Sequence, residues 1–123
     1  MSARAALTLA SLLMVLAVGT GAFGAHALRS RLDANALGVW QTAVQYHAWH
    51  ALGLLAVGLL MLHAPDRAGL PLAGALFVAG IVLFSGSLYA LALGAPRGAG
   101  AITPLGGVAF LAGWTVLAWA ASR

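Results

Sequence analysis

The sequence predicts an all-α integral membrane protein, with four transmembrane helices in an up-down bundle and a short interfacial helical connector between helices 1 and 2. Of its 123 residues, 63% are hydrophobic and only 7% are charged, whereas about a quarter of the residues in a soluble domain are charged. Four apolar stretches alternate with short polar connectors, and each can cross a hydrocarbon core of about 30 Å. We expect one domain, residues 1–123, with spans at about 5–23, 40–62, 72–93 and 103–121.

The charged residues exclude several classes of function. Six arginines outnumber two aspartates, giving a net charge of +4 without lysine, glutamate or cysteine. The arginines occur singly between apolar stretches, as residues that anchor helix ends at the membrane interface do. Their pattern therefore predicts no nucleic-acid partner. Without cysteine, the chain forms no disulfide and no thiolate metal site. The lipid bilayer is the first partner that the composition predicts.

The first apolar stretch, residues 5–23, has two interpretations. A basic start, an apolar run and the sequence Ala25-His26-Ala27 fit a cleaved signal peptide. The run is longer than the apolar core of a signal peptide, roughly 7–15 residues, which favours an uncleaved helix. Residues 19–24 also match G-x-G-x-x-G, but nucleotide binding by that motif requires a βαβ unit. We interpret these glycines as helix-packing positions and expect neither a nucleotide nor another cofactor.

The second helix is predicted to begin near Ala34, with Asp33 as its N-cap, and to end near Leu62. Its length of about 29 residues, or about 43 Å, exceeds the hydrocarbon core of about 30 Å. Its first turns must therefore lie in the interface or inside the protein. Side chains three or four residues apart share a helix face. These turns carry a group of polar residues, namely Gln41, Thr42, Gln45, Tyr46, His47 and His50.

The third and fourth helices carry fewer polar side chains. Ser85, Ser87 and Tyr89 form a polar patch in the later half of helix three. Helix four opens at Thr103-Pro104, a capping threonine followed by a proline suited to the first helical turn. Four spans put both termini on the same side of the membrane. Three arginines then lie on each side, so the positive-inside rule gives no orientation.

Blocks distributed along the chain carry a family resemblance. They are residues 21–26, residues 40–46 followed by His50, residues 84–89 and residues 102–107. Together, in this order, they resemble the small bacterial membrane proteins of domain-of-unknown-function family 423, which are related to eukaryotic transmembrane protein 256. The resemblance implies a four-helix protein of the bacterial inner membrane, with both termini cytoplasmic, and it brings no activity, substrate or cofactor.

The polar blocks predict one candidate site. In an up-down bundle, the exit of helix one, the start of helix two, the end of helix three and the start of helix four share one membrane face. Polar groups within lipid must satisfy one another, so we expect a polar cluster inside the bundle toward the non-cytoplasmic side. Its candidate members are His26, Gln41, Gln45, Tyr46, His47, His50, Ser85, Ser87, Tyr89 and Thr103.

Several functions remain open for such a cluster. The favoured hypothesis is a structural or accessory subunit, acting with a membrane-protein partner or as a homo-oligomer, in which the cluster fastens the helices together. The alternatives are a pocket for an amphipathic ligand such as a lipid or quinone head group, a zinc or copper site formed by His26, His47 and His50, and an oligomeric transporter or channel. An enzyme is not expected, because the chain offers no paired carboxylates, no cysteine and no Ser-His-acid set.

Overall fold

Four long helices make up the computed structural model, which describes all residues 1–123. The helices are α1 (Ala3–His26), α2 (Ala34–His63), α3 (Leu70–Ala92) and α4 (Thr103–Ala121), and there is no strand. All four helical segments are long and apolar enough to cross a membrane. The structure thus confirms the predicted all-α class and the number of spans.

The helix boundaries follow local capping chemistry. Asp33 caps α2, as predicted, because its Oδ1 accepts a hydrogen bond of 2.7 Å from the Ala36 N–H. Gly69 precedes α3 with a φ of 93°, a left-handed conformation that favours glycine. The predicted cap at Thr103 is wrong. A 3-10 turn, Arg97–Ala101, continues into α4, so helical backbone already precedes Thr103 and its hydroxyl bonds elsewhere.

The connector between α1 and α2 is shorter than predicted and is not a helix of its own. The helix α1 continues to His26, and α2 begins at Ala34, which leaves turns between them. One hydrogen bond of helical type, from the Leu32 N–H to the Leu28 carbonyl, is formed within these turns at 2.9 Å. Leu28 is buried against Trp40, so the connector is held to the end of the bundle by its apolar side chain.

The helices pack in chain order. Helix α1 lies along α2, α2 along α3, and α3 along α4, whereas α1 and α4 share no extensive contact. Lipid tails are as apolar as leucine, so close packing through small residues replaces the hydrophobic effect between membrane helices. Gly58 illustrates this, because a Cβ there would lie 2.8 Å from the Leu7 side chain. The buried core contains Ala6, Ala10, Ala51, Leu54, Val57, Phe77 and Phe110.

A π-helical turn, Ile81–Ser85, interrupts α3. It closes with the Gly86 N–H donating to the Ile81 carbonyl, five residues back. Steps of four residues drift by about 40° around an α-helix of 3.6 residues per turn, and the wider turn takes up one residue and offsets that drift. As a result Phe77, Ile81 and Ser85 are all buried along one face of α3. Turns of this kind are frequent at functional sites.

Candidate functional site

One hydrogen-bonded network joins three helices through Tyr89. Its hydroxyl lies 2.9 Å from His47 Nδ1 and 3.1 Å from Thr20 Oγ1. Trp40 packs on the Tyr89 ring at 4.7 Å between centroids and donates from Nε1 to the Thr20 carbonyl at 2.9 Å. Gly24 makes room for that indole, because a Cβ at Gly24 would lie 2.6 Å from it. The network therefore fastens α1 to α2 and α3 at one end of the bundle.

His47 is the least satisfied polar residue of this network. Its side chain is only 3% exposed, and its Nε2 is the one buried side-chain nitrogen or oxygen without a hydrogen-bond partner. The ring lies against the backbone of Leu13 in α1. The hydrogen bond between His47 Nδ1 and the Tyr89 hydroxyl is therefore the side-chain contact that fixes the orientation of this ring.

His50 has no free nitrogen. Its Nδ1 lies 2.7 Å from the Tyr46 carbonyl, and because a carbonyl only accepts, Nδ1 must carry the proton. Its Nε2 accepts a hydrogen bond of 3.0 Å from Trp114 Nε1. The ring also stacks on Phe110, with centroids 3.4 Å apart and planes inclined by 11°. His50 is therefore neutral, fixed in one tautomer, and saturated.

Ser85 and Ser87 take part in two further hydrogen bonds between helices. Ser85 is fully buried and donates to the Ala43 carbonyl at 2.8 Å, which links α3 to α2. Ser87 donates to the Phe84 carbonyl at 2.9 Å. Since Ser87 has a single hydroxyl proton, Thr103 is the donor in the 2.6 Å bond between the two hydroxyls. This second pair links α3 to the start of α4.

The predicted cluster is only partly assembled. His47, His50, Ser85, Ser87, Tyr89 and Thr103 are engaged between helices, but in separate hydrogen-bonded groups rather than in one cluster. His26, Gln41 and Gln45 are exposed and form no side-chain hydrogen bond. The suggested three-histidine metal site is not formed, because His26 is exposed at the end of α1 and no three potential ligands come together.

Sequence reasoning missed three participants, Thr20, Trp40 and Trp114. Each forms a hydrogen bond described above with a residue that lies 20 to 69 positions away in the sequence. A threonine or tryptophan within an apolar stretch is ordinary in membrane helices. The signal available was chemical, because an indole N–H or a hydroxyl inside lipid requires a partner.

Two grooves open on the lipid-facing surface. The aromatic groove, between α2, α3 and α4, has a volume of about 550 Å³. Its lining residues are Tyr46, His50, Phe84, Pro104, Gly107, Val108, Phe110, Leu111 and Trp114. The aliphatic groove, between α1 and α2, has a volume of about 450 Å³. It is lined by Ala10, Ser11, Met14, Val15, Val18, Ala51, Leu52 and Leu55.

Comparisons with known proteins identify the family that the chain matches and several similar proteins. A family model described as "Protein of unknown function (DUF423)" matches residues 20–107. The chain is 50% identical over 109 residues to the UPF0382 membrane protein YwdK of Bacillus subtilis, covering 89% of each chain. It is also 50% identical to the UPF0382 membrane protein SSP2132 of Staphylococcus saprophyticus, again over 89% of each chain. No solved structure matches significantly. These matches confirm the resemblance inferred from the four sequence blocks and the assignment to the membrane.

Proposed function

The chain belongs to the DUF423 family of membrane proteins, and we propose that it acts as a structural or accessory membrane protein rather than as an enzyme. Its intramembrane polar side chains hold the four helices in register, and its apolar outer faces contact lipid and a membrane-protein partner or second copy. We assign it to the bacterial cytoplasmic membrane, with both termini in the cytoplasm. The saturated hydrogen bonding of His50 is the observation that carries this proposal.

His50 has no free ring nitrogen for chemistry. A general base, a proton carrier or a metal ligand needs an imidazole lone pair or proton that is free to exchange. Both nitrogens of His50 are engaged, with the Tyr46 carbonyl and with Trp114. A reaction at His50 would have to break a contact between α2 and α4. The residue is therefore better suited to fastening helices than to chemistry.

The hydroxyl groups of Tyr89, Ser85 and Thr103 are likewise engaged between helices. Interhelical hydrogen bonds in membranes contribute about 0.6 kcal/mol each on average. The bonds made by Tyr89, Ser85 and Thr103 occur at three different helix pairs, which is the distribution expected of fasteners. A transport pathway would instead require polar groups aligned along one continuous route through the membrane. Beyond His50, the halves of the helices that lie away from Tyr89 carry only Arg4 and His63 as ionisable side chains, and both lie in terminal turns.

Purification from a mild detergent tests the proposal. We expect a stoichiometric membrane partner, or a second copy, to be retained by the wild type. His50→Leu removes the bond to Trp114 and should lower the melting temperature. When that variant is purified at low temperature in folded form, it should keep its partner. Thr115→Ala is a matched control, because its exposed hydroxyl bonds only to the Leu111 carbonyl of its own helix.

Two outcomes would contradict the proposal. The first is a wild-type protein that remains a single copy without any stoichiometric partner across several mild detergents. The second is substrate flux in proteoliposomes that is abolished by His50→Leu although the variant is folded. The first result would remove the partner or second copy from the proposal, and the second would assign His50 to a transport role.

A further inference from the structure

The aromatic groove differs in chemistry from the aliphatic groove. Ring faces and edges from Tyr46, Phe84, Phe110 and Trp114 form its walls, with centroids of neighbouring rings such as Tyr46 and Phe84 only 4.5 Å apart. No charged side chain lines it. Its volume of about 550 Å³ lies within the range of about 300–1,000 Å³ typical of small-molecule pockets.

One uncommitted polar group lines this groove. The nitrogens of His50 and the indole N–H of Trp114 are already bonded to one another or to the backbone. The hydroxyl of Tyr46 makes no hydrogen bond within the chain, and the only bond to this residue from another side chain reaches its carbonyl. A tyrosine hydroxyl away from water requires an acceptor. The groove therefore offers flat aromatic surfaces and a single free hydrogen-bond donor.

The two grooves suit different occupants. The aliphatic groove is lined by alkyl side chains, and its one hydroxyl, on Ser11, already donates to the Leu7 carbonyl at 2.9 Å. Such a surface matches a lipid acyl chain. The aromatic groove instead favours a flat ring, since aromatic pairs gain about 0.5–1.5 kcal/mol beyond burial of their area. A carbonyl oxygen on that ring would satisfy the Tyr46 hydroxyl.

We propose that the aromatic groove binds the ring of a membrane-dissolved quinone, with one ring carbonyl accepting a hydrogen bond from the Tyr46 hydroxyl. The ring packs among Phe84, Phe110 and Trp114, and it enters from the lipid side, where Trp114 is 45% exposed. His50 acts as a positioning residue, because it holds the Trp114 indole through its Nε2. Binding at this groove does not depend on the structural role proposed above.

Saturable quenching of tryptophan fluorescence tests the proposal in lipid nanodiscs. The probe is 2-methyl-1,4-naphthoquinone. The matched compound without carbonyls is 2-methylnaphthalene, and its binding is measured by competition with the quinone. Tyr46→Phe keeps the ring and removes only the hydroxyl, so it should weaken quinone binding by about fivefold, the equivalent of one hydrogen bond. The same substitution should leave 2-methylnaphthalene binding unchanged.

Blocking the groove provides the second arm. A Cβ at Gly107 would meet only the edge of the Phe84 ring, at 3.9 Å, so a side chain can begin at this position, and Gly107→Leu is designed to extend an alkyl group into the groove. We expect it to abolish binding of both compounds. Ser11→Leu places the same side chain in the aliphatic groove and should leave binding unchanged.

Three outcomes would overturn the proposal. Quenching that rises linearly without saturation would mean partition into lipid only. Saturable binding that survives Gly107→Leu would locate the quinone elsewhere. Equal effects of Tyr46→Phe on the affinities for the quinone and for 2-methylnaphthalene would show that the Tyr46 hydroxyl does not bind a quinone carbonyl. A melting curve for each variant shows that loss of binding is measured on folded protein.

Discussion

The contact between Gly106 and the π-helical turn of α3 can be perturbed by a single methyl group. A Cβ at Gly106 would lie 2.3 Å from the Phe84 backbone nitrogen and 2.7 Å from its Cα. Ordinary contacts begin at 3.4 Å, and backbone cannot rotate away as a side chain can. Gly106→Ala therefore requires α4 to retreat from α3 by about 1 Å, the difference between these distances.

The cost of that retreat follows from the contacts that depend on it. Overpacking of a well-packed interior costs about 1–3 kcal/mol. A shift of about 1 Å between these two helices would also stretch the 2.6 Å bond between Thr103 and Ser87 beyond hydrogen-bonding distance, which adds about 0.6 kcal/mol. We expect Gly106→Ala to lower the free energy of unfolding by about 1.5–3.5 kcal/mol, the sum of these two terms.

Reversible unfolding in mixed micelles of mild detergent and sodium dodecyl sulfate measures this free energy. Gly107→Ala is the matched control, because its Cβ would meet only the Phe84 ring edge at 3.9 Å, and we expect its free energy of unfolding to stay within about 0.5 kcal/mol of the wild type. Equal stability of the two variants, or a loss below about 1 kcal/mol for Gly106→Ala, would refute the packing of α4 on the π turn.

The remaining predictions concern the polar fasteners. Tyr89→Phe removes the bonds to Thr20 and His47 and should lower the free energy of unfolding by about 1–2 kcal/mol in the same assay. An unchanged unfolding midpoint would show that the network does not stabilise the fold. Trp114→Phe should cost about 1 kcal/mol, and in combination with His50→Leu the two losses should not add, since both remove one bond; full additivity would argue against that bond. Zn²⁺ should leave the melting temperature unchanged, because no three-ligand site exists, and a rise that saturates with zinc would contradict this.

The alternation of apolar stretches and polar connectors is sufficient to predict the helices. The apolar stretches, the N-cap at Asp33 and the start of α2 at Ala34 follow from local signals, and the structure agrees with each. The apolar stretch predicts an end of α1 near Phe23, but the helix ends at His26, since no residue between them terminates a helix. The cap at Thr103 failed because the 3-10 turn before it depends on the connector backbone.

Local sequence signals predict neither the π turn nor the division of the polar residues into separate hydrogen-bonded groups. The turn is compatible with the glycines at positions 80 and 86, but what packs against it is Gly106 of another helix. The bond between Trp114 and His50 spans 64 positions of sequence. Helix geometry predicts that side chains three or four residues apart on α2, such as His47 and His50, act together. They instead point to different neighbours, His47 to α1 and α3 and His50 to α4. Which residue faces which helix is decided by the packing of the whole bundle.

The protonation of the His50 ring tests the central claim most directly, because the fastening role requires both of its nitrogens to be engaged. Nitrogen-15 solid-state NMR of the protein in lipid bilayers at neutral pH reports each ring nitrogen separately. We expect a protonated Nδ1 and an unprotonated Nε2 that is coupled to the indole N–H of Trp114 and insensitive to added zinc. A protonated Nε2, an imidazolium ring, or a zinc-dependent shift would show that His50 is free for chemistry and would contradict it.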